Sequence, residues 1–128
     1  MIYYILDKDG DPVLEPDLQR WAAWMAKHVR ILRQETVGGY LVSTVFLGVD
    51  HNYSSNGPPV LWETLVGHYI DMRWSDGTLR KGLQDEEMYR HTSREEAMAC
   101  HLDCVARYAA MAKAAKQQLD KTLANARV

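Results

Sequence analysis

The sequence predicts an α+β fold: one antiparallel sheet of four to five strands, in the order β-α-β-β-β-α, with helices on one face. Two apolar, β-branched runs, residues 40–49 and 60–72, flank a polar loop and are typical of paired strands. The Gly-Gly pair at 38–39 has the chemistry of a tight hairpin turn. The run from Ser93 to about Ala124 contains no Pro or Gly, which predicts a long C-terminal helix.

Composition predicts a single globular domain that spans residues 1–128. The chain is 47% hydrophobic and 25% charged, and 128 residues are enough to bury one core without disulfide or metal cross-links. A net charge of −2 argues against a general nucleic-acid-binding protein, whose surface carries a basic patch. No run approaches the roughly 20 apolar residues of a membrane span, and the N-terminus lacks a basic segment. We therefore expect neither a membrane anchor nor a signal peptide.

The two cysteines predict free thiols in a reducing cytoplasm. Cys100 and Cys104 lie four residues apart on the predicted helix, which makes a disulfide geometrically awkward. With His101 they do not form a metal site, because His101 projects about 100° away from Cys100 around the helix and zinc needs tetrahedral closure. We expect a cytoplasmic protein with no cofactor and no metal.

The N-terminal part predicts a strand, a helix and a second strand. Ile2–Leu6 is a β-branched and aromatic run that ends in a cluster of turn formers. Asp17–His28 has apolar residues at helical spacing directly after Pro16, which predicts a short amphipathic helix that ends at His28. Val29–Thr36 alternates in polarity and predicts the strand that leads into the Gly-Gly hairpin.

The middle of the chain predicts the rest of the sheet. Tyr40–Val49 is apolar on both faces, as in a strand in the middle of a sheet. Val60–Met72 predicts its neighbour. Arg73–Glu87 is polar and rich in glycine and charge, so we interpret it as a mobile excursion or small hairpin. Met88–His91 would then form one short edge strand.

The last helix is predicted to begin at a capping box. Thr92 and Ser93 each have a glutamate three residues later. An apolar stripe faces the sheet in this prediction, and it consists of Ala97, His101, Cys104, Tyr108, Met111, Ala115 and Leu119. Because a helix this long overhangs a sheet of this size, its second half either frays or packs on another subunit. We expect residues from about 112 to 128 to form an extension that mediates a homo-oligomer, a dimer or higher.

A candidate contact region lies where the polar loop meets the strands. The chain contains no phosphate-binding glycine loop and no GxGxxG, HExxH, CxxC or GxSxG motif, so any chemistry would use scattered residues. Carboxylates and imidazoles transfer protons near neutral pH or bind divalent metals. The predicted contact residues are Asp50, His51, Asn52, Glu63, Tyr89, Arg90 and His101.

Glu63 is the most informative of these residues. A carboxylate between two leucines is costly to bury without a partner, so either this face of the sheet is open to water or Glu63 pairs with His51, Arg90 or a backbone N–H. His101 is either a structural histidine bonded to the sheet or a ligand or proton-transfer group. Arg90 and Arg94, beside the helix start, are either an anion-binding corner or ordinary surface charge.

Several segments together resemble a family of small, largely uncharacterised proteins encoded by bacteriophages and prophages. The segments are YYILD, a WAxW helix, STVFLGVDH, GPPVLWETLV and YRHTSREEAMACH. STVFLGxDH and GPPxLxETxV are the most specific of them, and the similarity extends through His101. WSDGTLRKGLQDEE and the alanine-rich tail after Tyr108 depart from the family pattern.

The resemblance implies a small accessory protein made in the cytoplasm of an infected bacterium. Such proteins often bind stoichiometrically, as counter-defence inhibitors, as sponges for signalling nucleotides or as modifiers of host enzymes. We therefore expect a non-enzymatic protein that binds a host protein or a small anionic ligand. The alternatives are a small hydrolase or transferase that uses His51 or His101 with Glu63, and a structural component of the virion.

Overall fold

A computed structural model describes residues 1–54 and 56–126 and has the predicted α+β fold. The elements in chain order are β1 (Tyr4–Leu6), β2 (Pro12–Leu14), α1 (Leu18–Lys27), β3 (Ile31–Val37), β4 (Tyr40–Phe46), β5 (Trp62–Arg73), β6 (Leu79–His91) and α2 (Arg94–Ala126). Among the described residues, no helix combines the length and the apolar character that crossing a membrane requires.

The main sheet consists of β3, β4, β5 and β6 in that order, each antiparallel to its neighbour. Gly38 and Gly39, with φ of 56° and 84°, close the β3–β4 hairpin as the sequence predicts, because this turn needs positive φ at both positions. β4 is a buried central strand, and Val42, Thr44 and Phe46 on it are fully buried. These three side chains share one face because they alternate along the strand.

Of the two alternatives for Arg73–Glu87, the mobile excursion is wrong, and the hairpin is right but much longer than the small one expected. β5 and β6 pair along their whole lengths as a long ribbon, closed by a turn in which Gly77 has φ of 83°. The predicted edge strand Met88–His91 is the end of β6. Charge and glycine lower strand propensity, but continuous backbone pairing between two strands does not depend on apolar side chains, so composition alone misses it.

The first strand lies outside the main sheet. β1 pairs with β2 in a separate two-stranded hairpin. An isolated β-bridge between Tyr3 and Val49 connects this hairpin to the segment that follows β4. The sequence did not predict β2, because a three-residue strand that begins with Pro12 carries little periodic signal. The two-stranded hairpin is held beside α2 by Arg94, whose guanidinium donates to the carbonyls of Asp9 and Gly10.

Both helices pack on the same face of the main sheet. Tyr108 and Cys104 of α2 belong to one core cluster with Val42. Trp24 of α1 meets the ring of Phe46 edge-on, with ring centroids 5.9 Å apart. Since Val42 and Phe46 point to the same side of β4, the helices leave the opposite face of the sheet uncovered.

The predicted end of α1 at His28 and the predicted cap of α2 at Ser93 are confirmed. Asp17 caps α1 by accepting backbone hydrogen bonds, and His28 follows its last residue. The Ser93 hydroxyl accepts the backbone N–H of Glu96 at 3.1 Å, which caps α2. Residues 113–126 of α2 are all exposed, so the predicted overhang exists. Ser55 in the polar loop and residues 127 and 128 of the predicted extension lie outside the described residues.

Candidate functional site

Asp50 and His51 close the base of the polar loop. The Asp50 carboxylate accepts the backbone N–H groups of Asn52 and Val60 at 2.7 and 2.9 Å. His51 Nδ1 lies 2.8 Å from the carbonyl oxygen of Val49, which fixes Nδ1 as the donor in this contact. Both side chains therefore bond to the backbone of their own loop.

Asn52 organises the interior of the same loop. Its amide nitrogen donates to the carbonyls of Asn56 and Pro58, both at 2.9 Å. Its amide oxygen accepts the backbone N–H of Ser54 at 3.0 Å. These bonds satisfy backbone groups that have no strand partner, so the local role of Asn52 is to hold the loop in one shape.

Glu63 and Arg90 form an ion pair on the face that the helices leave uncovered. They are direct cross-strand partners on β5 and β6, and Arg90 Nε donates to Glu63 Oε2 at 3.2 Å. The Glu63 side chain is 18% exposed and that of Arg90 is 40% exposed. Of the partners considered for Glu63, the structure shows Arg90.

His101 lies at the centre of a buried line of hydrogen bonds between α2 and the sheet. Its Nε2 is 2.8 Å from Glu35 Oε1, and its Nδ1 is 2.8 Å from the hydroxyl of Thr44. The Thr44 hydroxyl lies 2.9 Å from that of Thr64, which lies 3.2 Å from His91 Nε2. The hydrogen bond from His101 lowers the pKa of Glu35, and burial lowers the pKa of His91.

The groups in this line are of the kind that activate a nucleophile in enzymes, but a substrate cannot reach them. A carboxylate, an imidazole and a hydroxyl in series are the groups of a catalytic triad. His101, Thr44 and Thr64 are each 0% exposed, so no substrate reaches the hydroxyls in this conformation. The contacts of His101 are those of a structural histidine whose two ring nitrogens are hydrogen-bonded to two different strands. They bind α2 to β3 and β4.

His101 and Glu63 lie on opposite sides of the sheet. Thr64, whose hydroxyl belongs to the buried line, follows Glu63 directly on β5, and successive strand residues point to opposite faces. The pairing of His101 with Glu63 that one hydrolase alternative requires is therefore not formed.

A second polar cluster surrounds Glu87 at the edge where α2 meets β6. Its carboxylate accepts the phenolic O–H groups of Tyr108 and Tyr89, and Arg107 Nη2 donates to it at 3.0 Å. These bonds, that from Tyr108 foremost, lower the pKa of Glu87 to about 2. The same contact raises the pKa of Tyr108 to about 12. Tyr89 is therefore bonded on the helix side of the sheet, away from the polar loop.

Glu35 and Glu87 are members of these clusters that the sequence did not predict. Both are acidic residues on strands of mixed polarity, a pattern that predicts exposure to solvent. A usable signal lay in α2: His101 and Tyr108 both occupy the apolar stripe, and a buried imidazole or phenol needs a hydrogen-bond partner. A carboxylate on the facing strand is the natural candidate.

The seven predicted contact residues do not converge on one point. The loop residues lie next to Val60, just before β5, and so at the same end of the sheet as the pair of Glu63 and Arg90. Tyr89 and His101 lie on the helix side. Within residues 1–54 and 56–126, no group of three or more His, Cys, Asp or Glu side chains is arranged to hold a metal ion. Both cysteines are free thiols.

The uncovered face of the main sheet, which we call the open face, carries a largely apolar surface that is interrupted by the hydrogen-bonded pair of Ser43 with Gln34 and by Asp85. It consists of the side chains that alternate with the buried ones, and these apolar residues are Ile31, Leu41, Val45, Leu65, Tyr69, Leu83 and Met88. Tyr69 is 57% exposed and Met88 is 51% exposed. Ion pairs mark its two ends: Glu63 with Arg90, and Asp71 with Lys81 at 3.3 Å.

The open face and the polar clusters on the helix side are thus the two features from which a function can be argued. The open face is exposed and apolar, whereas the polar side chains of the clusters on the helix side are buried or already hydrogen-bonded to other residues of the chain. Comparison with protein-family models, with curated proteins and with solved structures found no match to this chain.

Proposed function

We propose that this chain is a phage or prophage accessory protein that acts in the host cytoplasm by stoichiometric binding of a host protein through the open face. The observation that carries the proposal is the largely apolar surface there, with Tyr69 and Met88 more than half exposed. Apolar surface of this kind marks interaction sites in soluble proteins. The resemblance of the STVFLGVDH and GPPVLWETLV segments to phage proteins supports the cellular setting.

The anatomy of the open face suits a protein partner. An apolar centre is bordered by ion pairs at both ends, which is the arrangement of core and rim in protein interfaces. The surface is formed by paired strands and is therefore rigid before binding, so little conformational entropy is lost on association. The contact region of the proposal comprises Glu63 and Arg90, with the neighbouring loop residues Asp50, His51 and Asn52 at the same end.

The positions of the two arginines favour a protein over a small anion on this face. Arg90 is paired with Glu63, so its charge is already neutralised. Arg94 donates to the carbonyls of Asp9 and Gly10 on the helix side. The corner that Arg90 and Arg94 would form together is therefore not assembled.

The test is capture of a host protein by immobilised chain from bacterial lysate, with Met88→Glu compared against Leu102→Glu. Leu102 is a matched control because it is 45% exposed, close to the 51% of Met88, but lies on α2. We expect one host protein to be retained in nearly equimolar amount by the unmodified chain and by Leu102→Glu, and to be lost with Met88→Glu.

Three results would contradict this proposal. The first is retention of the same protein by Met88→Glu and the unmodified chain, and the second is no protein retained above the level of empty resin. The third is loss with Leu102→Glu alone, which would place the contact on α2 and would equally overturn the role of the open face.

We further propose that the exposed end of α2 mediates a homo-oligomer. Leu119 and Leu123 are 57% and 49% exposed on a helical segment that makes no buried contact with the rest of the described chain. Helical segments of this length are marginal in water without a packing partner. The double variant Leu119→Lys with Leu123→Lys should convert an oligomer to monomer in light scattering. A monomeric unmodified chain, or an oligomer unaffected by the variant, would contradict this.

A further inference from the structure

The ends of β5 and β6 extend beyond the other two strands of the main sheet. The pairing of β4 with β5 ends at Tyr40 and His68, whereas β5 and β6 remain paired as far as Arg73 and Leu79. We call this two-stranded projection, residues 69–83, the arm. Its exposed apolar side chains are Tyr69, Met72, Trp74 and Leu79. Because a two-stranded ribbon is only marginally stable in water, the arm is the part of the sheet that gains most from a further strand.

The outer edge of β6 presents unpaired backbone groups. β6 is the last strand in the sheet order, and within residues 1–54 and 56–126 no strand pairs with its outer side. The N–H of Trp74 donates to the carbonyl of Thr78 at 2.9 Å, so these two residues form a hydrogen-bonded pair. Hydrogen-bonded and non-hydrogen-bonded pairs alternate along antiparallel strands, so every second residue of β6 directs its backbone groups away from β5. By the register of the two strands, these residues are Leu79, Lys81, Leu83 and Asp85.

The charged residues on this edge are placed symmetrically about Leu83. Arg80 and Lys81 come three and two residues before it, and Glu86 and Asp85 come three and two residues after it. If β6 pairs antiparallel with β6 of a second copy about a two-fold axis at Leu83, each of these cationic residues lies opposite a carboxylate. Only this register does so for both, since directly opposite residues have to point to the same face of the sheet.

Lys81 and Asp85 carry most of this charge complementarity. Both point to the open face, because they are separated by an even number of strand positions. Asp85 is exposed, and the Lys81 ammonium, on a side chain that is 72% exposed, lies 3.3 Å from Asp71. An ion pair with so much exposure contributes little to stability, so Lys81 is available to a second carboxylate.

We propose that two copies of this chain associate by pairing the outer edges of their β6 strands about Leu83. Leu83 of each copy exchanges backbone hydrogen bonds with Leu83 of the other, and Lys81 exchanges them with Asp85. The two Leu83 side chains, each half-buried in the single chain, meet on the open face. Each arm gains neighbouring strands on its outer side, and the two main sheets become continuous.

A β-bulge limits the length of the contact. The register of β5 with β6 shifts between Val66 and Gly67, which leaves Glu86 as the extra residue of β6. A bulge interrupts regular pairing of its strand, so the paired segment of each copy ends at Glu86. One short strand from each copy buries little surface, and we expect a weak association that requires submillimolar chain. Light scattering at low concentration therefore measures the α2 contact alone.

The test is disulfide cross-linking of Leu83→Cys in the full-length chain, with oxidised glutathione as the oxidant. Every variant also carries Cys100→Ser, because Cys100 is partly exposed whereas Cys104 is buried. Opposite residues of a hydrogen-bonded pair have Cα atoms about 5.5 Å apart, a distance that a disulfide can span.

Leu79→Cys is the matched control on the same strand. In the proposed register its two copies lie about 27 Å apart, so we expect about tenfold less covalent dimer than with Leu83→Cys. Leu79 is 63% exposed and Leu83 is half-buried, so random collision would favour Leu79→Cys. The order of the two rates therefore separates a defined contact from collision.

A charge exchange tests the register. Lys81→Glu places a carboxylate opposite Asp85 at both symmetric positions, and Asp85→Lys places an ammonium group opposite Lys81. Added to Leu83→Cys, each should slow cross-linking about 10- to 100-fold, because like charges directly opposite each other repel. Arg20→Glu, on a side chain of α1 that is 78% exposed, changes the net charge as much as Lys81→Glu and should have no effect.

An equimolar mixture of the Lys81→Glu and Asp85→Lys chains should recover the rate of Leu83→Cys. In the mixed dimer, which mass spectrometry identifies, both positions again bring opposite charges together. Sedimentation of the same charge variants without Leu83→Cys repeats the comparison with the native leucine in place.

Two results would overturn the proposal. One is cross-linking of Leu83→Cys that is no faster than that of Leu79→Cys. The other is a mixture of the two charge variants that cross-links no faster than either variant alone. The contact uses neither the open face nor the end of α2 for its pairing, and Leu119→Lys with Leu123→Lys should leave the Leu83→Cys rate unchanged. Failure of the host-protein capture or of the α2 contact is therefore distinguishable from failure of this one.

Discussion

The two faces of the main sheet use their polar residues in opposite ways. On the helix side, Glu35 and Glu87 each bond to a side chain of α2 that is itself buried, His101 and Tyr108. On the open face, Glu63 bonds to Arg90 on the next strand, and the two helices, as far as the structure describes them, pack on the other face. Both faces pair their carboxylates, but only the helix side pairs them across two layers of the fold.

This difference separates residues that maintain the fold from residues that are available for binding. Polar groups between two layers must be satisfied when the layers close, so their removal leaves buried unpaired atoms. Apolar side chains on an uncovered sheet face remain in contact with water in the folded chain and contribute less to its stability. His101 and Tyr108 therefore stabilise the fold, and the apolar surface of the open face is what is available to a binding partner.

The largest expected effect is from His101→Ala on the helix side. The substitution leaves a cavity and removes partners from Glu35 and Thr44, so we expect a loss of about 3 kcal/mol in the free energy of unfolding. Urea denaturation followed by circular dichroism measures it. Met111→Ala is a suitable control, since Met111 lies on the same helix and is 53% exposed. A loss for His101→Ala no larger than the control would contradict a structural role for the buried line.

The His101 contacts also show what the sequence could and could not provide. Helical spacing placed His101, Cys104 and Tyr108 correctly on the buried side of α2. It could not provide their partners, because strand pairing and register bring Glu35 and Glu87 beneath the helix from distant parts of the chain. Local patterns carry no information about such contacts.

The candidate contact region shows the same limit. The cross-strand contact of Glu63 with Arg90 was one of the expected alternatives, because a carboxylate between leucines requires a partner. The faces of Tyr89 and His101 depend on the register of β6 and on the side on which α2 packs, and neither is encoded locally. The long β5–β6 ribbon was missed for a related reason, since its pairing is between backbones.

A smaller effect is expected at acid pH from Glu87. Its pKa is lowered to about 2 from the model-compound value of 4.5, chiefly by the hydrogen bond from Tyr108. A lowered pKa contributes stability that is fully present above the unfolded-state pKa and is lost as pH falls from about 4.5 toward 2. The Glu87 side chain is 22% exposed, so we expect a contribution of about 1 kcal/mol after solvent screening.

Urea titrations of the unmodified chain and of Glu87→Gln at pH values between 5 and 2 measure this contribution. The glutamine variant should be less stable at pH 5, and the difference should shrink as the solution approaches pH 2. A stability difference that stays constant over this range would show that ionisation of Glu87 does not couple to folding.

The smallest expected effect comes from the strand carboxylate on the open face. Glu63→Gln removes a charge from a partly solvated pair, and Arg90, whose side chain is 40% exposed, can be hydrated in its place. We therefore expect a change in unfolding free energy within about 0.5 kcal/mol. Glu35→Gln is its counterpart on the helix side and should cost more, because the carboxylate of Glu35 accepts a hydrogen bond from fully buried His101.

Parallel urea titrations of the two glutamine variants compare the faces directly. If Glu63→Gln proved the more destabilising, the ion pair with Arg90 would be part of what maintains the fold. The open face would then lose its distinction from the helix side. If Glu63→Gln leaves stability unchanged but weakens capture of the host protein, its pairing with Arg90 serves binding. The apolar residues between the two ion pairs would then be the remaining determinants of that contact.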